Sequence, residues 1–235
     1  MRLLHLLLLF GSALTLSESA RGNEFKRTRV VGFSQVGQTN GGWFVAGGVF
    51  ESIVGNDRWE LLWGGGAGVD RWRNPDYEGW ARALVSPCPG EDAPDRVLLS
   101  ISGPYGDDTK AWTDAIDATV AVIQQKLPSV RRIILQAVVG GPGGKPCSSA
   151  TASRKSASDG RVRASWQHAH IVEAIHAVTQ KRNGMSVSVV AGFQPTVRTC
   201  GDYIDALGHL TPEGAAAVGR AIGEYYAKQD ALAAR

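Results

Sequence analysis

Arg96-Val97-Leu98-Leu99-Ser100-Ile101, residues 109–126, and Arg132-Ile133-Ile134-Leu135-Gln136-Ala137-Val138-Val139 are three successive stretches whose reading decides the fold. The first and third are nearly unbroken apolar runs of strand length, the pattern of strands covered on both faces. Between them, Trp112, Ile116, Val120 and Ile123 recur at spacings of three and four, as on one face of a helix. Pro128 closes that helix. Strand, helix and strand in one short span form a crossover unit, and a crossover makes its two strands parallel.

The same alternation extends outward in both directions. Upstream, Arg29-Val30-Val31-Gly32-Phe33 reads as a first strand and residues 43–54 as a helical stretch. Trp59-Glu60-Leu61-Leu62-Trp63 reads as a second strand running into Gly64-Gly65-Gly66. Downstream follow a helix over 168–178, a fifth strand over 186–191 and a final helix over 212–226. Thr211 is a suitable cap for that last helix, with Pro212 at its first position and Glu213 in its first turn. The expected fold class is α/β, a flavodoxin-like three-layer α/β/α domain with about five parallel strands. Such sheets carry their sites in loops beyond the carboxyl ends of the strands. Two stretches interrupt the alternation. Residues 140–165 are rich in Gly, Ser, Lys and Arg and read as a long loop, a candidate lid. Residues 69–94 hold Trp72, Tyr77 and Trp80 among prolines and charges and read as an ordered insertion.

At 235 residues, 43% hydrophobic and 20% charged, the chain can build one sizeable core. One domain is expected over residues 23–235. The net charge of +3 is spread out, with a single small cluster at Lys26, Arg27 and Arg29, which argues against nucleic acid as a partner. Residues 1–20 read as a secretory leader: Arg2, an apolar run from Leu3 to Phe10, then small residues at Gly11-Ser12-Ala13. That run is far shorter than the roughly 20 residues a bilayer requires, so no membrane span is expected and the protein should be secreted or periplasmic. Cys88, Cys147 and Cys200 allow one disulfide and one thiol; Cys147 with Cys200 is favoured, since both follow strand ends on one edge of the sheet.

Two residues stand where chemistry is expected. Ser34 lies just beyond the first strand, where backbone N–H groups can stabilise an oxyanion. His209 lies in the last strand-to-helix loop, with Asp205 four and Asp202 seven residues upstream. A histidine with a nearby carboxylate is the base and orienter that nucleophilic catalysis needs.

Together these residues resemble the SGNH/GDSL hydrolase superfamily over most of the chain after the leader. His209-Leu210-Thr211-Pro212-Glu213-Gly214 is similar to that family's histidine block, and Gly32-Phe33-Ser34 to its Gly-Asp-Ser block with Phe33 in place of aspartate. Trp63-Gly64-Gly65-Gly66-Ala67-Gly68 is similar to the second block, which by alignment makes Gly68 the oxyanion-hole glycine. Two departures stand out. The third block's asparagine is missing from Ser102-Gly103-Pro104-Tyr105-Gly106-Asp107-Asp108, so the donor there would be a backbone N–H, Tyr105 or a group from elsewhere. The family's aspartate lies three residues before the histidine, where this chain has Ala206; Asp205 is favoured instead, with Asp202 the runner-up.

The resemblance implies an exported serine esterase or acetyl esterase. Ser34 would attack the acyl carbon, His209 would take its proton, Asp205 would orient His209, and the N–H groups of Ser34 and Gly68 would hold the oxyanion. No metal and no cofactor are implied. The substrate would be a small-molecule or glycan ester. The alternative is a non-catalytic carbohydrate-binding protein on an SGNH-like scaffold. For Trp72 and Trp80, stacking on substrate and packing in the core are equal readings; for Trp43 and Trp63 packing is favoured. The glycine run fails the dinucleotide pattern, because Asp70-Arg71-Trp72-Arg73-Asn74-Pro75 does not continue it as a helix. His168 and His170, two apart on a helix, face different sides and make no metal pair.

Overall fold

The computed structural model describes residues 25–39, 41–90, 92–149 and 160–233. The expected leader, residues 1–20, lies outside them. Five strands, β1 (Thr28–Gly32), β2 (Trp59–Trp63), β3 (Arg96–Ile101), β4 (Arg132–Ala137) and β5 (Ser188–Ala191), form one sheet in the order β2-β1-β3-β4-β5. Every pairing is parallel. This is the flavodoxin-like order, and it reverses at β1, which lies between β2 and β3. The chain leaves β1 toward one side and returns to pair with it on the other, so a crevice opens above the carboxyl end of β1.

Among the described residues six α-helices flank the sheet: α1 (Ser34–Gly37), α2 (Val49–Val54), α3 (Val69–Trp72), α4 (Thr109–Lys126), α5 (Arg163–Lys181) and α6 (Pro212–Ala233). Helix α2 packs on α6, while α4 packs between α3 and α5, giving the three layers α/β/α. The central strand β3 is buried along its whole length, as its apolar run predicts. Beneath α2 and α6, Trp43, Phe50, Trp59 and Tyr226 form a chain of ring contacts with centroids 5.2–5.4 Å apart. Those contacts and the aliphatic faces of the strands make one continuous core.

Several boundaries differ from expectation, each for a local reason. The helix expected over 43–54 is confined to α2, preceded by a short 3-10 turn. Gly47 and Gly48 take φ of +59° and +68°, and this left-handed pair cannot continue a right-handed helix. Helix α5 starts at Arg163, earlier than apolar spacing indicates, since beside Ala164 its first turns bury the polar Ser165, Gln167 and His168. Strand β4 ends at Ala137, and the Val139 N–H turns to the Gln35 side chain at 3.0 Å. The insertion over 69–94 contains α3 and a 3-10 turn at Glu78–Ala81.

The loop after β4 is anchored wherever it is described. Gly140 bridges to Thr196, Cys147 is disulfide-bonded to Cys200, and the Val162 N–H donates to the Cys147 carbonyl at 2.9 Å. Those parts are fixed scaffold rather than the lid expected over 140–165, and residues 150–159 lie outside the described residues. Cys88 is a buried free thiol.

Candidate active site

The carboxyl end of β1 delivers Phe33 and then Ser34, the first residue of the single-turn α1. Among the described residues neither the Ser34 N–H nor its Oγ has a hydrogen-bond partner. The next residue fixes this turn. Gln35 is buried; its Oε1 accepts from Val139 N–H and its Nε2 donates to the Gly208 carbonyl. The Tyr203 hydroxyl donates to the Val139 carbonyl at 2.8 Å. One buried network thus ties the serine turn, the end of β4 and the histidine loop together. Sequence reasoning missed Gln35, since nothing in the pattern separates a buried glutamine from an exposed one.

The histidine loop is wound around one carboxylate. Asp205 Oδ1 accepts from the N–H groups of Leu207, Gly208 and His209 at 3.0, 3.0 and 3.2 Å. Its Oδ2 accepts from His209 Nδ1 at 2.6 Å. A carboxylate oxygen can only accept here, so the ring proton sits on Nδ1 and the Nε2 lone pair is left free. Burial pushes the Asp205 carboxyl up, but the hydrogen bonds from His209 and Gly208 outweigh it and hold it below the ordinary value. Gly208 takes φ of +98° and lies against Ala164, where a Cβ would collide, so glycine is required on both counts.

Asp202, the runner-up for the orienting role, is engaged elsewhere. It bonds the Arg198 guanidinium at 3.1 Å and the N–H groups of Arg198 and Thr199 at 3.0 and 3.2 Å, closing a capping box with Thr199. The structure brings Asp205 to His209, not Asp202. Helix α6 then begins as expected, with the Thr211 hydroxyl accepting from Gly214 N–H at 3.0 Å.

Ser34, Gly68 and His209 line one cavity of about 230 Å³ above the crevice at β1. No hydrogen bond joins Ser34 to His209. Gly68 caps α3 and sits hard against the β3 loop: a Cβ there would strike the Ser102 carbonyl and lie 2.8 Å from Gly103 Cα. Its N–H has no acceptor among the described residues. Tyr105 is not in the lining. Its ring packs edge-on against Trp112, and its hydroxyl is buried without a partner among the described residues.

The tryptophans also stand away from the cavity lining. Trp72 is fully buried, with its Nε1 donating to the Ala67 carbonyl at 2.8 Å, and Trp80 packs edge-on against it. For both, packing is the reading the structure bears out. The lining that sequence reasoning did not anticipate comes from Asp70 and from α5, which contributes Arg163 at the rim and the buried Gln167.

No family profile and no curated protein matches this sequence. Solved structures do match in fold. YxiM of Bacillus subtilis superposes with a TM-score of 0.50 at 14% identity, over 87% of this chain and 57% of that one. A family two carbohydrate esterase of Clostridium thermocellum, solved with cellohexaose, gives 0.49 at 10%, over 88% and 64%. A candidate SGNH hydrolase of Slackia heliotrinireducens gives 0.44 at 13%, over 85% and 98%. The chain spans less than two thirds of the length of the first two. At these identities the likeness is one of fold alone: a five-stranded parallel sheet between helices.

Proposed function

We propose that this chain is a serine hydrolase of acyl esters, with Ser34 as nucleophile, His209 as general base and Asp205 as the group that orients it. The observation that carries this reading is the shared cavity of Ser34 and a histidine whose Nδ1 is committed to a carboxylate. In that tautomer only Nε2 can accept the serine proton. As Ser34 Oγ bonds to the acyl carbon, the carbonyl π pair moves onto oxygen and the proton passes to His209. The oxyanion meets the unpartnered N–H groups of Ser34 and Gly68. Collapse breaks the bond to the alkoxide, which leaves with the proton from His209. Water then repeats the cycle on the acyl-serine and releases the acid.

The small cavity suits a short acyl group such as acetyl, with the alcohol portion at the rim beside Arg163 and Asp70. In this reading that alcohol belongs to a small molecule or a glycan. Export after loss of residues 1–20 belongs to the same proposal, and the Cys147–Cys200 disulfide is in keeping with an oxidising compartment.

The test is hydrolysis of p-nitrophenyl acetate and longer-chain esters by the wild type, Ser34→Ala and His209→Ala, with folding checked by circular dichroism. Loss of either group should lower kcat by roughly 10⁴–10⁶-fold. Wild-type turnover no higher than that of folded Ser34→Ala on every ester would overturn the reading and leave glycan binding to be tested.

A further inference from the structure

The β3 loop has no asparagine to complete the oxyanion hole, yet a carboxamide from another element reaches that loop. Gln167, on the second turn of α5, is only 4% exposed and lines the cavity that holds Ser34, Gly68 and His209. Its Nε2 donates to the Gly103 carbonyl at 3.2 Å. A carbonyl accepts only, so this bond fixes which end of the amide faces the loop. An amide nitrogen carries two hydrogens, and Gly103 takes one.

Register brings this nitrogen close to the chemistry. Val31 pairs with Leu99, the last pair of the two strands; β1 then ends at Gly32, two residues before Ser34, and β3 ends at Ile101, one residue before Ser102. Gly68 lies against the same Ser102–Gly103 peptide, tightly enough to forbid a Cβ. The Ser34 turn, the Gly68 N–H and the Gln167 amide therefore converge on one end of β3. Ser102, which lines the same cavity, is the rival donor, but its hydroxyl is almost wholly buried and has no partner among the described residues.

We infer that Gln167 Nε2 is the third oxyanion donor of this site, a side-chain amide supplied by α5 in place of one from the β3 loop. This rests on the ester-hydrolase reading above. Gln167 is then a catalytic residue: its second N–H meets the carbonyl oxygen as charge develops there, while the bond to Gly103 keeps the amide from turning away.

The experiment compares wild type, Gln167→Ala, Gln167→Glu and Ser102→Ala on p-nitrophenyl acetate, and measures inhibition by phenylboronic acid, which forms a tetrahedral adduct with a serine nucleophile. Both Gln167 variants should lose about 10²–10³-fold in kcat with KM little changed. Boronate affinity should weaken in parallel with kcat/KM, a loss that a merely structural role would not produce. Gln167→Glu keeps the shape and removes the donor, so it separates chemistry from packing if Gln167→Ala folds poorly. Near-wild-type kcat and boronate affinity in folded Gln167→Glu would overturn the inference while leaving the hydrolase reading intact. So would a loss confined to Ser102→Ala. Wild-type activity no higher than that of Ser34→Ala would overturn both.

Discussion

Asp205 does two jobs with two oxygens, and the jobs can be separated. Oδ1 collects three backbone N–H groups and holds the loop; Oδ2 holds His209 Nδ1. An asparagine in its place would keep a carbonyl oxygen for the loop but present an NH₂ to the ring, favouring the wrong tautomer. Asp205→Asn should therefore stay folded and lose about 10²–10⁴-fold in kcat, whereas Asp205→Ala should also lower the melting temperature. Equal activity in Asp205→Asn and wild type would remove Asp205 from the mechanism. The sequence showed Ser34, Gly68, His209 and both aspartates as candidates, because motif spacing and the ends of strands are visible in one dimension. It left Asp205 and Asp202 open, since what separates them is Arg198 and the Thr199 cap occupying Asp202, a matter of side-chain direction. Gln35 and Gln167 were not legible at all. Each sits beside or on an element that was recognised, but its role comes from partners 104 and 64 residues away.

At the scale of elements, strands were legible wherever an apolar run was long, as in β3 and β4, and helices wherever apolar spacing was clean, as in α4. The losses follow from the same rule. Helix α5 opens on buried polar residues, which apolar periodicity cannot count, and α2 is cut short by two left-handed glycines. The segment between β4 and α5 looked like a free loop because its restraints are long-range. Chief among them is the Cys147–Cys200 disulfide, which joins this segment to the stretch leading into Asp205 and His209 across 53 residues. Closing a loop of that length restricts the unfolded chain by about 4 kcal/mol in the chain-entropy account. Cys147→Ser combined with Cys200→Ser should lower unfolding free energy in urea by roughly that amount. A denaturation midpoint that neither the double variant nor a reductant moves would show that the bond does not form in the protein.

For the whole molecule, buried titratable groups set opposite limits on stability with pH. On the alkaline side, burial and then the nearby Glu60 carboxylate push the Cys88 thiol from its ordinary 9.0 to about 11. Its contribution is complete below pH 9 and is lost as pH rises toward 11. On the acid side, burial raises Asp117, Asp202 and Asp205, but hydrogen bonds and nearby charges, led by Arg182, Arg198 and His209 respectively, together outweigh it and hold each below 3.8. Their stabilisation is complete above that ordinary value and disappears as pH falls through the lowered ones. His168 sets an earlier limit. It is 5% exposed, and its Nδ1–H donates to the Val138 carbonyl at 2.7 Å. Burial lowers its pKa below 6.5, against the opposing pull of that hydrogen bond. The unfolded chain therefore takes up a proton before the folded one does, so stability is complete above pH 6.5 and begins to fall below it. Asparagine at 168 would keep a donor for Val138 and remove the titration. Melting temperatures taken from about pH 8 to about pH 5 should decline for the wild type below 6.5 and stay flatter for His168→Asn, with the two curves falling together only once the carboxylates titrate. Parallel curves across that whole range would mean that the ring leaves Val138 and takes its proton in solvent.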